Sequence, residues 1–187
     1  MRVFLGLSAP ELDTKQLNTL CRERSQLRPH RPVDRHMTLG FIGECSLSQV
    51  EALSDEIDLL MTRVGLAEVF WHASSINMFP EQKPKAWALT GPITDSLKAL
   101  LDRLSHMPCI GQYINAAGFL PHVSLAYANG HVMGKVVFNG NYCFDELVLY
   151  RSLSQVNTES MIEMPPWAKP RYEKLKVWKL QDETGLP

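Results

Sequence analysis

The sequence predicts an α+β fold in which two similar lobes face each other across a cleft. The chain shows the order strand, proline-led helix, loop and strand twice, first from RVFLGLS to HMTLGFIG and then from KAWALTG to HVSLAYA. The spacing is similar in both copies, with 33 residues from Val3 to His36 and 35 from Trp87 to His122. We therefore expect a single domain over residues 1–187, made of two interleaved lobes with one histidine strand in each.

The composition is typical of a globular domain and excludes several other classes of protein. The chain is 45% hydrophobic and 21% charged, which is unlike a disordered or fibrous protein. Its net charge of −1 argues against a general duplex DNA or RNA binder but allows a small site for one phosphate group. The four cysteines form no CxxC pair, so neither a zinc ribbon nor a thioredoxin motif is indicated.

The hydropathy pattern predicts a cytoplasmic protein with no membrane partner. The apolar run Val3–Leu7 is too short for the hydrophobic region of a signal peptide. No other stretch approaches the ~20 apolar residues that are needed to span a bilayer. We expect the protein to act as a monomer.

The first lobe begins with the apolar strand RVFLGLS and a helix over residues 10–27. Pro10, followed by acidic residues in the first turn, is a typical helix start. After a basic loop, HMTLGFIG alternates polar and apolar residues as a strand does. A second helix is predicted over residues 46–63. Its apolar face carries Leu47, Val50, Leu53, Ile57 and Leu60.

The second lobe repeats this order and is followed by further strands. Residues 65–79 are extended in character, and KAWALTG is a short strand. Residues 92–107 form a helix that begins at a proline, and LPHVSLAYA is the second histidine strand. GKVVFNG, NYCFDELVLYRS and RYEKLKVWKL are predicted as the remaining strands.

The two motifs HMTL and HVSL form a pattern that packing alone does not explain. Alternation puts His36 and Thr38 on one face of the first strand, and His122 and Ser124 on one face of the second. A single strand histidine is usually a packed or surface residue. Two such matches by chance among six histidines have a probability on the order of a thousandth. The other four histidines lack the pattern, so the doubled motif indicates a site.

Two imidazoles and two hydroxyls are suited to acid and base chemistry on a phosphodiester. The unperturbed pKa of imidazole lies near neutrality, so one ring can take a proton from water while the other gives one to a leaving oxygen. The hydroxyls can bind anionic oxygens between the rings. A strained cyclic phosphate suits this arrangement best, because it needs only one acid and one base. No metal is expected, since the chain has no HExxH motif and a single histidine on each motif strand.

The paired motifs resemble those of the 2H phosphoesterase superfamily, and within it the LigT-type RNA 2′,3′-cyclic phosphodiesterases, also called 2′-5′ RNA ligases. The similarity extends over nearly the whole chain. RVFLGLSAPEL resembles the opening strand and helix of the family, HMTLGFIGE its first motif HxTLxFLGE, and LVLYRS and RYEKLKVWKL its C-terminal strands. The resemblance implies a bilobal α+β fold with antiparallel sheets, outer helices and a central cleft.

The resemblance also implies an activity. This is the hydrolysis of RNA 2′,3′-cyclic phosphate ends to 2′-phosphomonoesters without metal or other cofactor, together with reversible 2′-5′ ligation. His36 would donate the proton to the leaving 3′ oxygen, His122 would accept a proton from water, and Thr38 and Ser124 would hold the phosphate. The implied partner is RNA with a cyclic phosphate end, such as a tRNA fragment. The spacing of the motifs does not decide which histidine is the acid.

One position departs from the pattern of the family. Many members have arginine two positions after the leucine of the second motif, where this chain has Tyr127. A tyrosine can donate one hydrogen bond but brings no charge. We expect Tyr127 to contact the substrate, and Arg35, Arg151 or Lys85 to supply the charge. The sequence does not choose among these three cations.

Two further features have competing interpretations. Phe41 could stack on a nucleotide base as a substrate-binding residue, but alternation favours a place in the core beside Met37 and Leu39. The arginines near the first motif could guide an RNA end or form a solvated face. They are Arg22, Arg24, Arg28, Arg31 and Arg35.

Three other functions are compatible with the sequence. The chain could be another enzyme of the same superfamily that acts on a small cyclic phosphate or a 2′-5′ oligonucleotide. It could be a module that binds RNA ends without turnover, which the tyrosine at position 127 favours. It could also be a structural α+β domain, if the doubled motif is a coincidence.

Overall fold

Two antiparallel sheets form the framework of the protein, whose computed structural model describes residues 1–9, 19, 28–127, 134–153 and 171–182. In chain order the strands are β1 (Arg2–Ser8), β2 (Arg28–Pro29), β3 (His36–Glu44), β4 (Val69–Phe79), β5 (Ala86–Thr90), β6 (His122–Tyr127), β7 (Val136–Phe144), β8 (Glu146–Ser152) and β9 (Tyr172–Lys179). The helices are α1 (Leu47–Arg63) and α2 (Asp95–Ser105), with short 3-10 turns at Pro32–Asp34 and Gly111–Tyr113. No helix in the described ranges is long and apolar enough to cross a membrane.

The two histidine strands have corresponding pairing partners in the two sheets, although β3 lies at the edge of its sheet and β6 also pairs with the short strand β2. The first sheet has the order β3-β1-β8-β9 and the second the order β2-β6-β5-β4-β7. β3 pairs with β1 and β6 pairs with β5, so each histidine strand lies beside the strand that opens its copy of the repeat. The predicted repeat is therefore confirmed for the strands and for α2, which lies between β5 and β6 in the chain. The helix predicted over residues 10–27 lies outside the described residues, apart from Thr19.

Helix α1 begins where the sequence provides a cap. The Ser46 hydroxyl accepts a hydrogen bond from the N–H of Gln49 at 3.3 Å, and the Gln49 side chain accepts one from the N–H of Ser46 at 2.8 Å. The predicted apolar face is confirmed for Leu53 and Ile57, which are 5% and 0% exposed. Leu47 is 69% exposed, so the buried face is narrower than the sequence predicts.

Helix α2 begins at Asp95 rather than at the predicted Pro92, because the residues between them are bonded to β4. The indole N–H of Trp71 donates to the carbonyl of Pro92 at 3.0 Å, and the Thr94 hydroxyl donates to the carbonyl of Phe70 at 2.7 Å. Thr94 consequently keeps an extended backbone. The side of α2 that packs on the core carries Leu97, Leu100, Leu101 and Leu104.

The boundary between β7 and β8 lies at Asp145, whereas the sequence predicted a break between Gly140 and Asn141. Gly140 and Asn141 continue β7, because they pair with Ala73 and His72 of the neighbouring strand β4. A continuous ladder of hydrogen bonds thus overrides the turn signal of the Asn-Gly-Asn sequence.

The apolar sides of both histidine strands belong to one core. Met37 and Leu39 of β3 and Val123 and Leu125 of β6 are at most 3% exposed and pack in the same cluster. Each buried aliphatic side chain contributes about 1.5–3 kcal/mol through its removal from water. Because alternate residues of a strand face opposite ways, the histidines and hydroxyls lie on the sides away from this core.

Candidate active site

A β-bulge in β3 brings three residues of the first motif onto one face. His36, Thr38 and Phe41 lie opposite alternate residues of β1, and alternate residues of a strand share a face. The register shift between the two strands takes up Leu39 as an extra residue. Beyond this bulge the phase of β3 changes, so Phe41 joins the face that carries the histidine.

Strand β6 has the same bulge at the equivalent residue. His122, Ser124 and Tyr127 lie opposite alternate residues of β5, and the register shift takes up Leu125. In each motif the residues two and five positions after the histidine therefore share its face. The matched bulges make the two halves of the site structurally equivalent.

The interpretation of Phe41 as a core residue is wrong. Its side chain is 67% exposed, whereas Met37 and Leu39 are 0% and 3% exposed. The ring centre lies 5.8 Å from that of Phe4, whose ring also packs on His36. The alternation rule placed Phe41 on the wrong face because the bulge at Leu39 breaks the alternation. Its exposure beside His36 leaves Phe41 accessible to a ligand.

His36 is oriented by the carbonyl group two residues before it. Its Nδ1 lies 2.7 Å from the carbonyl oxygen of Asp34. A carbonyl can only accept a hydrogen bond, so Nδ1 carries the proton and Nε2 keeps a free lone pair in the neutral ring. Asp34 ends the 3-10 turn at Pro32–Asp34, and this turn therefore sets the direction of the ring.

His122 is oriented by the same device in the second lobe. Its Nδ1 lies 2.9 Å from the carbonyl oxygen of Leu120, again two residues before the histidine. The ring of Phe79 stacks on the imidazole with ring centres 3.7 Å apart. Both imidazoles are thus held through Nδ1 and have Nε2 available for proton transfer.

Burial lowers the pKa of both imidazoles. The rings of Phe4, Tyr150 and Tyr172 surround His36 at centre-to-centre distances of 4.7, 5.2 and 4.8 Å. Removal from water lowers the pKa of His36 to about 4, although its hydrogen bond to the backbone acts in the raising direction. Burial also lowers the pKa of His122. The site without substrate therefore holds two neutral rings at pH 7.

The two half-sites meet where the sheets adjoin. β3 and β6 are in contact, although they belong to different sheets. The N–H of His30 donates to the carbonyl of Leu125 on β6 at 2.7 Å, and six residues later the chain enters β3 at His36. A positive charge on His122 lowers the pKa of His36, so the two rings lie within electrostatic reach of each other. The six predicted site residues thus flank one junction.

A pocket of about 180 Å³ lies beside His122. Phe79 and Leu120, which hold the imidazole, form part of its wall. Asn77, Thr90, Glu81 and Gln82 add polar groups, and the Thr90 hydroxyl donates to Asn77 Oδ1 at 3.2 Å. An apolar wall with a few polar groups is typical of small-molecule sites.

In the described part of the chain, no group of three or more His, Cys, Asp or Glu side chains is arranged to hold a metal ion. The geometry of both histidines suits proton transfer, because each ring is held through Nδ1.

The three cations considered from the sequence differ in their surroundings. Arg35 is 2% exposed and is enclosed by the protein. Arg151 forms an ion pair with Glu173 at 3.4 Å, and its register opposite Val3 puts it on the face away from His36. Lys85 is exposed and directly precedes β5. The register of Arg151 argues against its contact with a group between the histidines, whereas the predicted roles of Arg35 and Lys85 stay predictions.

The arginines of the basic loop are only partly described. Arg22 and Arg24 lie outside the described residues, as does the side chain of Arg28. Arg31 forms an ion pair with Asp34, with 3.9 Å between Nε and Oδ2. The predicted guidance of an RNA end by this loop stays a prediction.

Arg171 is a cation at the site that the sequence did not indicate. Its guanidinium carbon lies 4.4 Å from the centre of the Tyr127 ring. The residue precedes the last strand and belongs to no motif, so neither spacing nor alternation marks it. The pairing of β9 with β8 brings it to the junction.

Comparison with known proteins identifies the fold. No family model matches the chain, and no curated protein matches it. Among solved structures, TT0787 of Thermus thermophilus is 22% identical over 98% of this chain and 100% of its own, with a TM-score of 0.65. E. coli LigT complexed with 3′-AMP is 20% identical over 97% of this chain and 98% of its own, with a TM-score of 0.68. A structure described as a phosphoesterase is 21% identical over 97% of this chain and 98% of its own, with a TM-score of 0.67.

These similarities extend over nearly the whole chain at low sequence identity. E. coli LigT is similar to this chain in its complexes with phosphate, ATP and NADP+ as well. The antiparallel sheets and the equivalent histidine strands agree with the predicted architecture. The chain therefore has the bilobal α+β fold of the LigT-type phosphoesterase structures.

Proposed function

We propose that the protein is a 2H phosphoesterase that hydrolyses RNA 2′,3′-cyclic phosphate ends to 2′-phosphomonoesters without a metal ion. The observation that carries this proposal is the matched orientation of the two imidazoles. Each ring donates Nδ1–H to the carbonyl two residues before it, which leaves Nε2 for chemistry. Each also has a hydroxyl residue two positions further along the same face, Thr38 in one half and Ser124 in the other.

The reaction requires one base and one acid. Nε2 of His122 takes a proton from water, and the water oxygen forms the new bond to phosphorus. The bond from phosphorus to the 3′ oxygen breaks, and His36 gives a proton to that oxygen, which leaves a 2′-phosphomonoester and a free 3′ hydroxyl. The assignment of acid and base follows the family resemblance. Thr38 and Ser124 donate hydrogen bonds to the non-bridging oxygens.

The acid needs a proton that the site without substrate does not hold at pH 7. Burial is the main reason why the pKa of His36 is about 4. A bound phosphodiester places a negative charge beside the ring, which raises its pKa and favours the protonated form. In this mechanism, substrate binding therefore produces the protonated His36 that acts as the acid.

The similar structures support a phosphate-containing nucleotide as the substrate class. E. coli LigT is found in complexes with phosphate and with 3′-AMP. In this chain the pocket beside His122 offers room for part of a nucleoside. The proposal takes RNA with a cyclic phosphate end, including tRNA fragments, as the partner, and a cytoplasmic monomer as the acting form. Reversible 2′-5′ ligation would use the same two histidines.

The test measures turnover of a 2′,3′-cyclic nucleotide and of an RNA with a cyclic phosphate end, in EDTA. We expect hydrolysis to the 2′-phosphomonoester and a loss of roughly 10²–10⁴-fold in kcat/KM for His36→Ala and for His122→Ala. His106→Ala is the matched control, because this side chain is 77% exposed at the end of α2, and it should keep full activity. If wild type and His122→Ala are equally inactive on every cyclic phosphate tried, the proposal fails.

The same assays separate the alternatives. Turnover of only small cyclic phosphates or 2′-5′ oligonucleotides would indicate another enzyme of the superfamily. Binding of RNA ends that persists in His36→Ala, without turnover by wild type, would indicate a non-catalytic module. Tyr127, where a cation is usual, is the observation that favours that module.

A further inference from the structure

A phosphodiester bound between the two histidines would meet no positive charge from the motif strands. Residues 36–41 and 122–127 contain neither lysine nor arginine. The pKa of both histidines is lowered by burial, so the rings themselves bring no charge before substrate binds. The substrate carries one negative charge, and negative charge builds on its oxygens as the attacking water adds. Elsewhere in proteins this charge is met by arginine or lysine.

Arg171 is held at the junction by its backbone. Its N–H donates to Oδ1 of Asp34 at 3.4 Å, and its carbonyl accepts from the N–H of Leu153 at 2.8 Å. Asp34 is the residue whose own carbonyl orients His36. The backbone of Arg171 is thus tied to the turn that positions the first histidine.

The side chain of Arg171 reaches the second half-site. Its guanidinium carbon lies 4.4 Å from the centre of the Tyr127 ring, and Tyr127 shares a face of β6 with His122 and Ser124. The next residue, Tyr172, packs edge-on against His36 with ring centres 4.8 Å apart. Arg171 therefore contacts elements of both halves of the site.

The guanidinium of Arg171 forms no ion pair within the described part of the chain. The carboxylate of Asp34 attracts it electrostatically but pairs with Arg31 at 3.9 Å, and no described carboxylate lies within 4.0 Å of the Arg171 guanidinium nitrogens. His30 also packs against Tyr127, with ring centres 4.6 Å apart, and an imidazole brings no negative charge. A guanidinium that stacks on an aromatic ring keeps its N–H groups in its own plane, where they can donate hydrogen bonds to a ligand.

We propose that Arg171 is the phosphate-binding cation of this site, held against Tyr127 so that its N–H groups donate to the non-bridging oxygens of a phosphate between His36 and His122. The proposal rests on the proposed function for its substrate but not for its anion site. Tyr127 then acts as the support for a cation that comes from another strand. The planar fork of the guanidinium matches two phosphate oxygens at once.

The test combines phosphate binding with turnover. Inorganic phosphate is titrated calorimetrically into wild type and Arg171→Gln, and both are assayed with a 2′,3′-cyclic nucleotide. We expect Arg171→Gln to bind phosphate at least five- to tenfold more weakly and to lose roughly 10- to 100-fold in kcat/KM. Arg151→Gln is the matched control, because its guanidinium pairs with Glu173 on the other face of the sheet, and it should match wild type.

Moving the positive charge from residue 171 to residue 127 distinguishes a local role of the cation from a general loss of structure. The double variant Tyr127→Arg, Arg171→Gln places a cation on the motif strand itself, and it should recover at least half of the lost phosphate affinity on a logarithmic scale. If Arg171→Gln does not fold, Arg171→Met replaces it, since this neutral side chain still covers the Tyr127 ring.

The outcomes separate this proposal from the proposed function. Wild-type turnover together with unchanged phosphate binding and kcat/KM in the neutral variant overturns the role of Arg171 and leaves the function intact. Phosphate binding that depends on Arg171, without turnover of any cyclic phosphate, supports the role of Arg171 and overturns the function. Failure of wild type to bind phosphate overturns the role of Arg171 as well.

Discussion

His36 and His122 are prepared for proton transfer by bonds within their own loops. In each case the carbonyl that binds Nδ1 belongs to the residue two positions earlier, so the ring direction depends on a few local dihedral angles. The aromatic surroundings differ, since three rings enclose His36 and one ring stacks on His122. The two imidazoles are therefore buried by different aromatic neighbours, whereas the proton lies on Nδ1 in both rings.

Phe41 provides a prediction at the scale of the residue. Because its side chain is 67% exposed, Phe41→Ala should change the free energy of unfolding by no more than about 0.5 kcal/mol. Stacking of a base on an aromatic ring contributes about 1–3 kcal/mol, so KM for an RNA substrate should rise at least fivefold. Steady-state kinetics and urea unfolding measure the two effects. Phe70→Ala, 51% exposed on β4 outside both motifs, is the control and should leave KM unchanged. An unchanged KM in Phe41→Ala would contradict base stacking.

At the scale of the element, the bulges decide which side chains can meet a ligand. Without them, strict alternation would turn Phe41 and Tyr127 toward the core. The residue between leucine and aromatic is small in both motifs, Gly40 in β3 and Ala126 in β6, and both are buried. A Cβ on Gly40 would lie 2.6 Å from the carbonyl oxygen of Tyr113, so only glycine fits this approach.

Gly40→Ala therefore tests the packing of the first bulge. The added methyl group would also meet Ile114 Cδ1 at 3.0 Å, and the backbone of Tyr113 cannot move without disturbing its turn. We expect a loss of about 1–3 kcal/mol in the free energy of unfolding, measured by urea denaturation. Gly134→Ala has nothing within 4 Å of the new atom and should stay within about 0.5 kcal/mol of wild type. Equal effects of the two variants would show that the bulge tolerates a side chain.

At the scale of the whole molecule, the junction of the two sheets encloses several titratable groups. His30 is 4% exposed, and its ring nitrogens have no hydrogen-bond partner among the described residues. Burial, together with the charges of Arg171, His36 and Arg35, lowers the pKa of His30 to about 3. Burial likewise lowers the pKa of His36 to about 4. Burial at the junction of the two sheets thus keeps both rings neutral at pH values at which the unfolded chain would protonate them.

The junction predicts a dependence of stability on pH. The unfolded chain binds protons at these histidines below about pH 6.5, while the folded chain stays neutral there until pH 4 or 3. Stability should therefore be highest above pH 6.5 and should fall as the pH drops toward 4, by about 1–2 kcal/mol per histidine at pH 5. Urea unfolding at pH 7 and pH 5 measures this change. His30→Phe keeps a ring beside Tyr127 and should lose less stability than wild type over this interval. An equal loss in both proteins would exclude His30 as a cause.

Much of the fold follows from local sequence patterns because the lobes repeat a simple unit. Alternation predicts both histidine strands and their buried residues Met37, Leu39, Val123 and Leu125. The start of α2 and the end of β7 were misplaced, since these boundaries depend on hydrogen bonds to β4 rather than on their own residues. Local patterns do not contain such partners.

By itself, the sequence determined which residue types carry the chemistry and that they occur in two equivalent strands. A histidine and a hydroxyl two residues apart share a face in any β-strand, so this pairing needed no tertiary information. The tertiary structure decided the rest of the site. The bulges that turn Phe41 and Tyr127 toward the histidines depend on pairing with β1 and β5. Arg171 reaches the site although 137 residues separate it from Asp34, because contacts over such distances arise only when the sheets are assembled.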